Sequence, residues 1–203
     1  SLPCVVTAVT DRETVSVRPL VRMIGKNGTP VQRGVIDGIP VVAVGAGELV
    51  MSWPVTAGDI GWIEASDRDI SLFLQSYDEQ DPASARKHSF SDGRFIPDMM
   101  TNYTIAGEDS AAVVIQNRSG TVKIALDDSE IRIKNGGVSA TITSTTVTGT
   151  APGGFILNGA EITAAGDVVT ATGVSLNNHP HSQGNDSAGN TEQPTAAPTP
   201  TEI

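Results

Sequence analysis

Thr121-Val122-Lys123-Ile124-Ala125-Leu126, then Ile131-Arg132-Ile133, then Val138-Ser139-Ala140-Thr141-Ile142-Thr143: in each run apolar and polar residues alternate. Side chains along a strand leave on opposite faces with period 2. Val122, Ile124 and Leu126 therefore share one face. Val138, Ala140 and Ile142 share another, while Ser139, Thr141 and Thr143 point away. Ile156, Glu161-Ile162-Thr163 and Val174-Ser175-Leu176 continue the pattern, with Gly, Asn and Asp as punctuation. The region from Asp109 to His181 is read as a series of short strands, each with one narrow apolar stripe.

Such a stripe sets a problem for a single chain. Its residues are small and few, mostly Val, Ile and Ala, with one aromatic, Phe155. Ordering the backbone costs about 1–2 kcal/mol per residue, and burial of so little apolar area does not offset it. A lone chain would also leave open strand edges. Three copies wound around one axis remove both difficulties, because three stripes face inward and neighbouring chains pair every edge. The expectation is an intertwined, homotrimeric β-helix over residues 104–176. An ordinary β-sandwich is the alternative, but such cores draw on buried aromatics and larger aliphatics.

Composition narrows the class. The 203 residues suffice for one or two domains. Thirteen basic and 23 acidic residues give a formal charge of -10, which argues against nonspecific binding to nucleic acid or an anionic membrane. Aromatics make up only 4%, few for a conventional core. The single cysteine, Cys4, excludes an intrachain disulfide framework and is read as a small hydrophobe on a strand. No run of 18 apolar residues and no signal peptide is visible.

Residues 1–76 read as a compact β-domain. Val5–Val9, Val15–Val21, a region from Val31 to Val44 interrupted by Asp37-Gly38, Leu49–Pro54 and Ile60–Ala65 are the expected strands. Five short strands with Gly turns fit a Greek-key barrel of the OB type. A short helix is expected over Ile70–Leu74, with Asp69 as N-cap. OB barrels often bind single-stranded nucleic acid, which takes a basic groove with stacking aromatics. Basic residues here are scattered, and Trp53 and Trp62 are read as core. Residues 77–103, polar and Pro-containing, read as an extended connection from barrel to needle. His88 lies beside Ser89, Ser91 and Asp92, too close in sequence to form a relay without a specific turn, and is read as structural.

Three motifs carry a resemblance. Pro54-Val55-Thr56-Ala57-Gly58-Asp59-Ile60-Gly61, then Asp67-Arg68-Asp69-Ile70, then His88-Ser89-Phe90-Ser91-Asp92-Gly93-Arg94-Phe95-Ile96-Pro97 resemble the baseplate spike proteins of contractile-tailed bacteriophages. The likeness is to the membrane-piercing group with an N-terminal OB domain. Val174-Ser175-Leu176-Asn177-Asn178-His179-Pro180-His181 is similar to the tip of those needles. The resemblance implies a barrel docked to the needle base through the connecting segment.

His179 and His181 stand at i and i+2, so in an extended segment both rings leave on one face. Pro180 between them has no N–H and stops the ladder. One chain offers two imidazoles. Three chains offer six, enough for an octahedral all-nitrogen site. Imidazole suits iron, nickel, copper and zinc, but zinc favours four ligands. Six nitrogens suggest iron, one ion per trimer, as the resemblance also implies. Asp127-Asp128-Ser129-Glu130 lacks the spacing of a calcium loop and is read as a solvated turn. Residues 177–203 are expected to form the metal-bound apex and a Ser/Gly/Asn/Thr/Pro-rich tail folded back around it, with Ile203 docking in a groove.

No phosphate loop, nucleophile elbow or supported carboxylate pair is present, and an enzyme is not expected. The expected function is a structural baseplate spike, an all-β homotrimer that pierces the host outer membrane during tail contraction. Its partners would be a baseplate hub protein and, transiently, that membrane, with no nucleic acid. It would be assembled in the host cytoplasm and reside in the virion at the tail baseplate tip. With about eight strand segments the rod would be on the order of 40 Å long. A receptor-binding tail-fibre tip is the alternative, but such an end should display exposed aromatics or variable loops.

Overall fold

The computed structural model describes residues 1–179 and 188–189. It is all-β and divides into two compact units, Ser1–Tyr103 and a second beginning at Thr104. His181, and the expected path of the tail after it, lie outside the described residues apart from Ala188 and Gly189.

The strands run in chain order as follows. β1 (Leu2–Val9), β2 (Thr14–Pro19), β3 (Met23–Ile24), β4 (Pro30–Val31), β5 (Ile36–Pro40), β6 (Val44–Ala46), β7 (Leu49–Met51), β8 (Ile60–Ala65) and β9 (Gly93–Pro97) belong to the first unit. β10 (Val113–Gln116), β11 (Val122–Leu126), β12 (Glu130–Asn135), β13 (Val138–Thr143), β14 (Val147–Thr150), β15 (Phe155–Leu157), β16 (Ala160–Ile162) and β17 (Val168–Val169) belong to the second. One four-residue helix, α1 (Phe73–Ser76), lies between β8 and β9.

In the first unit five strands form an antiparallel sheet in the order β5-β2-β1-β8-β9. The sheet curls. Its outer strands meet where Val41 bridges Phe95 in parallel and the Val42 amide donates to the Phe95 carbonyl at 2.8 Å. The inward side chains are Cys4, Val6, Val15, Val17, Ile39, Ile63 and Phe95, all buried. Alternation along β1, β2 and β8 selects these residues, as period 2 requires. Phe95 is the one aromatic of this core. Its ring lies over Gly61, where an added Cβ would sit 2.6 Å from the ring and 2.3 Å from the Ile96 carbonyl. Gly61 is therefore needed for a close approach.

Three sequence readings are corrected here. Leu49–Met51 does not join the main sheet; it pairs only with Val44–Ala46 as a hairpin, and Leu49 is 82% exposed. Gly93–Pro97 takes the fifth place, beside β8, and its Phe95 is buried in the curl with Phe90 packed against the same core. Trp53 and Trp62 stay out of the core: Trp53 is exposed, and Trp62 is half-buried with its Nε1 donating to Asp98 Oδ2 at 2.8 Å. A polar indole edge needs such a partner, and the rim of the sheet supplies it. The helix starts at Phe73 rather than Ile70, with Leu72 at its N-cap. Asp69 instead accepts from the Ser71 amide (3.1 Å) and hydroxyl (2.7 Å).

In the second unit β10 to β14 form a five-stranded antiparallel meander, and β15 to β17 a three-stranded sheet. The strands expected over 121–143 are present with the expected alternation. Phe155 lays its ring on Gly149 of β14, where a Cβ would come within 2.6 Å.

Burial pushes the Cys4 thiol up to about 11. The folded protein should therefore resist thiol reagents at pH 8. Gly61→Ala should displace Phe95, loosen the curl and speed Cys4 labelling, with a cost approaching the roughly 3–5 kcal/mol of removing a buried Phe ring. Equal labelling rates in wild type and Gly61→Ala would refute this account of the core.

Candidate functional site

Antiparallel pairing puts partner residues on the same side of a sheet, so the register of the meander sorts its two faces. Val113 pairs with Leu126 and Ile115 with Ile124. Ile124 pairs with Ile133 and Leu126 with Ile131. Ile131 pairs with Ile142 and Ile142 with Val147. One face is thus aliphatic from edge to edge. In the single chain this face is open: Ile124 is 46% exposed, Val113 71% and Val147 76%.

The opposite face is polar, and its centre is covered. Ala125 is fully buried and Lys123 is 4% exposed. Lys123 Nζ donates to Glu108 Oε1 at 2.6 Å and to Asp109 Oδ2. Arg132 Nη2 donates to Asp109 Oδ1 at 3.0 Å, and its Nη1 to Asp127 Oδ2 at 2.8 Å and to Glu130. The side chain of Asp109 is fully buried between the two cations. Glu108 and Asp109 sit in a short turn of 3-10 helix, Gly107–Asp109, which the cluster pins to the sheet.

The Asp127 turn is a turn as expected, but it is less solvated than its composition suggests. Asp127 Oδ1 accepts from the Ser129 amide (2.9 Å), the Ser129 hydroxyl (2.8 Å) and the Glu130 amide (3.0 Å). Those bonds, with Arg132, hold its carboxyl far below the usual carboxylate range. The Lys123 ammonium does the same for Glu108 and Asp109 by hydrogen bonding first. Alternation marks Lys123 and Arg132 as polar-face residues. Nothing in the spacing indicates that Asp109, fourteen residues before Lys123, would close over them.

The motifs of the first unit have structural work of their own. Asp59 Oδ2 accepts from the Thr56 amide at 2.7 Å, and the Asp59 carbonyl accepts from Val6, tying the 54–61 stretch to β1. Arg86 grips the buried Asp92 with two bonds, 2.8 and 2.7 Å, and reaches Asp69 at 3.0 Å. Hydrogen bonds from Ser84 and Ser71, with the Arg86 charge, hold the Asp69 carboxyl below its ordinary value. Asp67–Ile70 and His88–Pro97 are thereby joined across a long excursion. Asp92 is thus engaged with Arg86, and the exposed His88 ring lies 3.4 Å from Asp67.

At the far end of the second unit, His179 Nδ1 lies 2.7 Å from the Ser175 carbonyl oxygen. A carbonyl only accepts, so Nδ1 carries the proton in this contact. His181 falls outside the described residues, so the structure does not test its pairing with His179. Among the described residues no group of three or more His, Cys, Asp or Glu is arranged to hold a metal ion. No helix among them is long and apolar enough to cross a membrane.

Residues 2–98 match the family model described as Phage protein Gp138 N-terminal domain. The match covers the curled sheet from β1 through β9, including all three ion-pair and turn motifs above. It supports a phage structural protein and a virion-associated role. No curated protein matches the chain.

The buried ion cluster has a pH signature. Asp109, Glu108 and Asp127 are depressed below their ordinary values of 3.8 for Asp and 4.5 for Glu. Their stabilisation is complete above those ordinary values and is lost as pH falls through the lower folded ones. The melting midpoint of the wild type should hold steady above about pH 5 and fall below about pH 4. Asp109→Ala should lower it at neutral pH more than Asp109→Asn combined with Lys123→Met, because the single change strands a buried cation. The reverse order, read by calorimetry, would refute the cluster's role.

Proposed function

We propose that this protein is the homotrimeric central spike of a contractile phage tail, a non-enzymatic device that pierces the host outer membrane. One observation carries the reading: an aliphatic face continuous across β10 to β14 is exposed while the charged centre of the opposite face, Lys123 and Arg132 on Asp109, is closed in. An apolar patch of that extent marks an interface. Its chemistry suits a second and third copy of the same chain, each bringing an identical stripe to a shared axis. Full burial of a Val, Ile or Leu contributes about 1.5–3 kcal/mol, and covering the exposed part of Val113, Ile115, Ile124, Leu126, Ile131, Ile133, Ile142 and Val147 recovers a share of that for each, which favours assembly. Winding around the axis into a triple-stranded β-helix also pairs the strand edges.

The order β5-β2-β1-β8-β9 with its parallel closure supports an OB-type barrel for the first unit. The likeness of residues 2–98 to a phage protein domain supports its use as the attachment end, toward a baseplate hub. Sheath contraction would supply the work, so the spike needs stiffness and a point. His179 and His181 from three chains would hold the apex ion, with iron as the metal that six imidazole nitrogens favour. Such an ion would supply a crosslink between three chains.

Light scattering should give about three times the 21.0 kDa chain mass. Ile124→Glu or Ile133→Glu should reduce it toward the monomer, whereas Thr141→Glu on the opposite face should not produce that specific loss. Elemental analysis of protein purified without a nickel column should find one iron per three chains, abolished by replacing His179 and His181 with Ala. A monodisperse wild-type monomer would end the spike reading.

A further inference from the structure

Cations are the minority in this chain, 13 against 23 acidic residues, yet four of them fall between Arg18 and Arg33, where there is no acidic residue. Arg18, Arg22, Lys26 and Arg33 span the β3–β4 hairpin, in which Met23 pairs with Val31 and Ile24 with Pro30. The hairpin is ordered by its own contacts. Gly28 takes the positive φ that its turn needs (77°), Asn27 Oδ1 accepts from the Thr29 amide at 3.2 Å, and Arg33 Nε donates to the Val21 carbonyl at 2.9 Å. Its aliphatic side chains stand open: Leu20, Val21, Met23 and Val31 are exposed, and Ile24 is 70% exposed. A two-stranded hairpin is marginal in water by itself. Aliphatics set among cations suit a partner surface that is both apolar and acidic.

The same unit carries that complement. From Ile70 to Ala85 the only charged residues are Asp78, Glu79 and Asp81. Leu72, Phe73 and Tyr77 are exposed there, Tyr77 to 77%. Tyr77 ends α1 in the left-handed region (φ 54°), its amide donating to the Phe73 carbonyl at 2.7 Å, and this sets the two rings edge to face with centroids 5.8 Å apart. Beside them Val41, Val42, Ile70, Phe73 and Leu74 line a cavity of about 650 Å³. Exposed rings with an acidic rim offer an anchor to aliphatic side chains and a π-face to cations.

We propose that the β3–β4 hairpin of one copy docks on the α1 surface of a second copy, with Met23 and Ile24 against Phe73, Tyr77 and the cavity, and with Arg22 and Lys26 facing Asp78, Glu79 and Asp81. The inference rests on reading the chain as a homotrimer. It goes beyond that reading, because the contact lies wholly within the first unit and does not use the aliphatic face of β10 to β14. Two different patches meet, so the contact is heterologous, and a threefold rotation closes it into a ring in which each copy gives one hairpin and receives one. Charge favours a second copy over nucleic acid or an anionic membrane. The chain as a whole stands at -10, and the stretch from Arg18 to Arg33 has no aromatic on which a base could stack.

The test uses the full chain. Carbodiimide joins a lysine to a carboxylate only where the two touch. Coupling followed by peptide mass spectrometry should find Lys26 joined to Asp78, Glu79 or Asp81, in species of two and three times the 21.0 kDa chain mass. Lys26→Gln should lose that link. Light scattering over a dilution series gives a second readout. Arg22→Glu with Lys26→Glu should make the trimer dissociate at a higher concentration than the wild type. Asp78→Lys with Glu79→Lys should do the same, and the four changes together should bring the curve back toward the wild type. All four side chains are exposed, so the fold of the unit does not depend on them. A trimer with no Lys26 link, unmoved by either charge reversal, would overturn the hairpin contact and leave the trimer standing. A wild-type monomer at every concentration would overturn both. Sedimentation of the wild type with phosphatidylglycerol vesicles, lost in Arg22→Glu with Lys26→Glu and without any Lys26 link, would assign the hairpin to a lipid surface and overturn the contact between copies.

Discussion

The rest of this structure depends on a charged pair of cations closed in on the side of a sheet where a core would normally be. Lys123 and Arg132 share the buried Asp109. Their face is held by hydrogen bonds and ion pairs within one chain, although Arg132 Nε and Gln116 Oε1 are buried without a partner among the described residues. The face with Val113, Ile115, Ile124, Ile133 and Ile142 has no such closure. A monomeric domain places aliphatic residues inside and ions outside. Here the distribution is inverted at the centre of the sheet, and the inversion follows from register, because pairings such as Val113–Leu126, Ile124–Ile133 and Ile131–Ile142 put aliphatic side chains on one face and pairings such as Gln116–Lys123 and Lys123–Lys134 put polar ones on the other. The polar face settles which way the sheet can turn its apolar one.

The first unit solves the same problem within one chain. Its curl brings Val41 to Phe95 and encloses Cys4, Val6, Val15, Val17, Ile39 and Ile63. The region between β8 and β9 adds Phe90 to that core and is tied by ions as well: Arg86 links Asp69 to Asp92, and Asp92 leads into the strand that carries Phe95. Charge and core are therefore in series. The Asp-Arg-Asp and His-to-Pro motifs can be understood as the two ends of this tie.

The alternating runs over 121–143 were legible because period 2 is a local signal, and the strands fall where it placed them. Cys4 was legible as a buried hydrophobe for the same reason. Gly93–Pro97 was not, since a single aromatic in a polar stretch leaves no period to read; its burial depends on Gly61, thirty-four positions from Phe95. The Trp residues misled because size suggested a core that a polar indole edge and a hairpin position denied them. At the candidate apex the i, i+2 spacing of His179 and His181 could be read from sequence. The partner of His179 could not, because a backbone carbonyl carries no residue label.

The meander of β10 to β14 joins each strand to the next by a short turn, so its pairings are all between neighbours in sequence. Such contacts form fast, because little loop entropy is lost before they are made. If the proposed trimer forms, each chain displays its aliphatic face before it meets another copy. Assembly then becomes a matter of concentration and timing rather than of chain folding. At high dilution the face would be exposed long enough to stick to other surfaces. Neighbouring copies made on one message would find each other soonest, so synthesis rate and local crowding, more than intrinsic stability, would govern the yield of correctly joined particles.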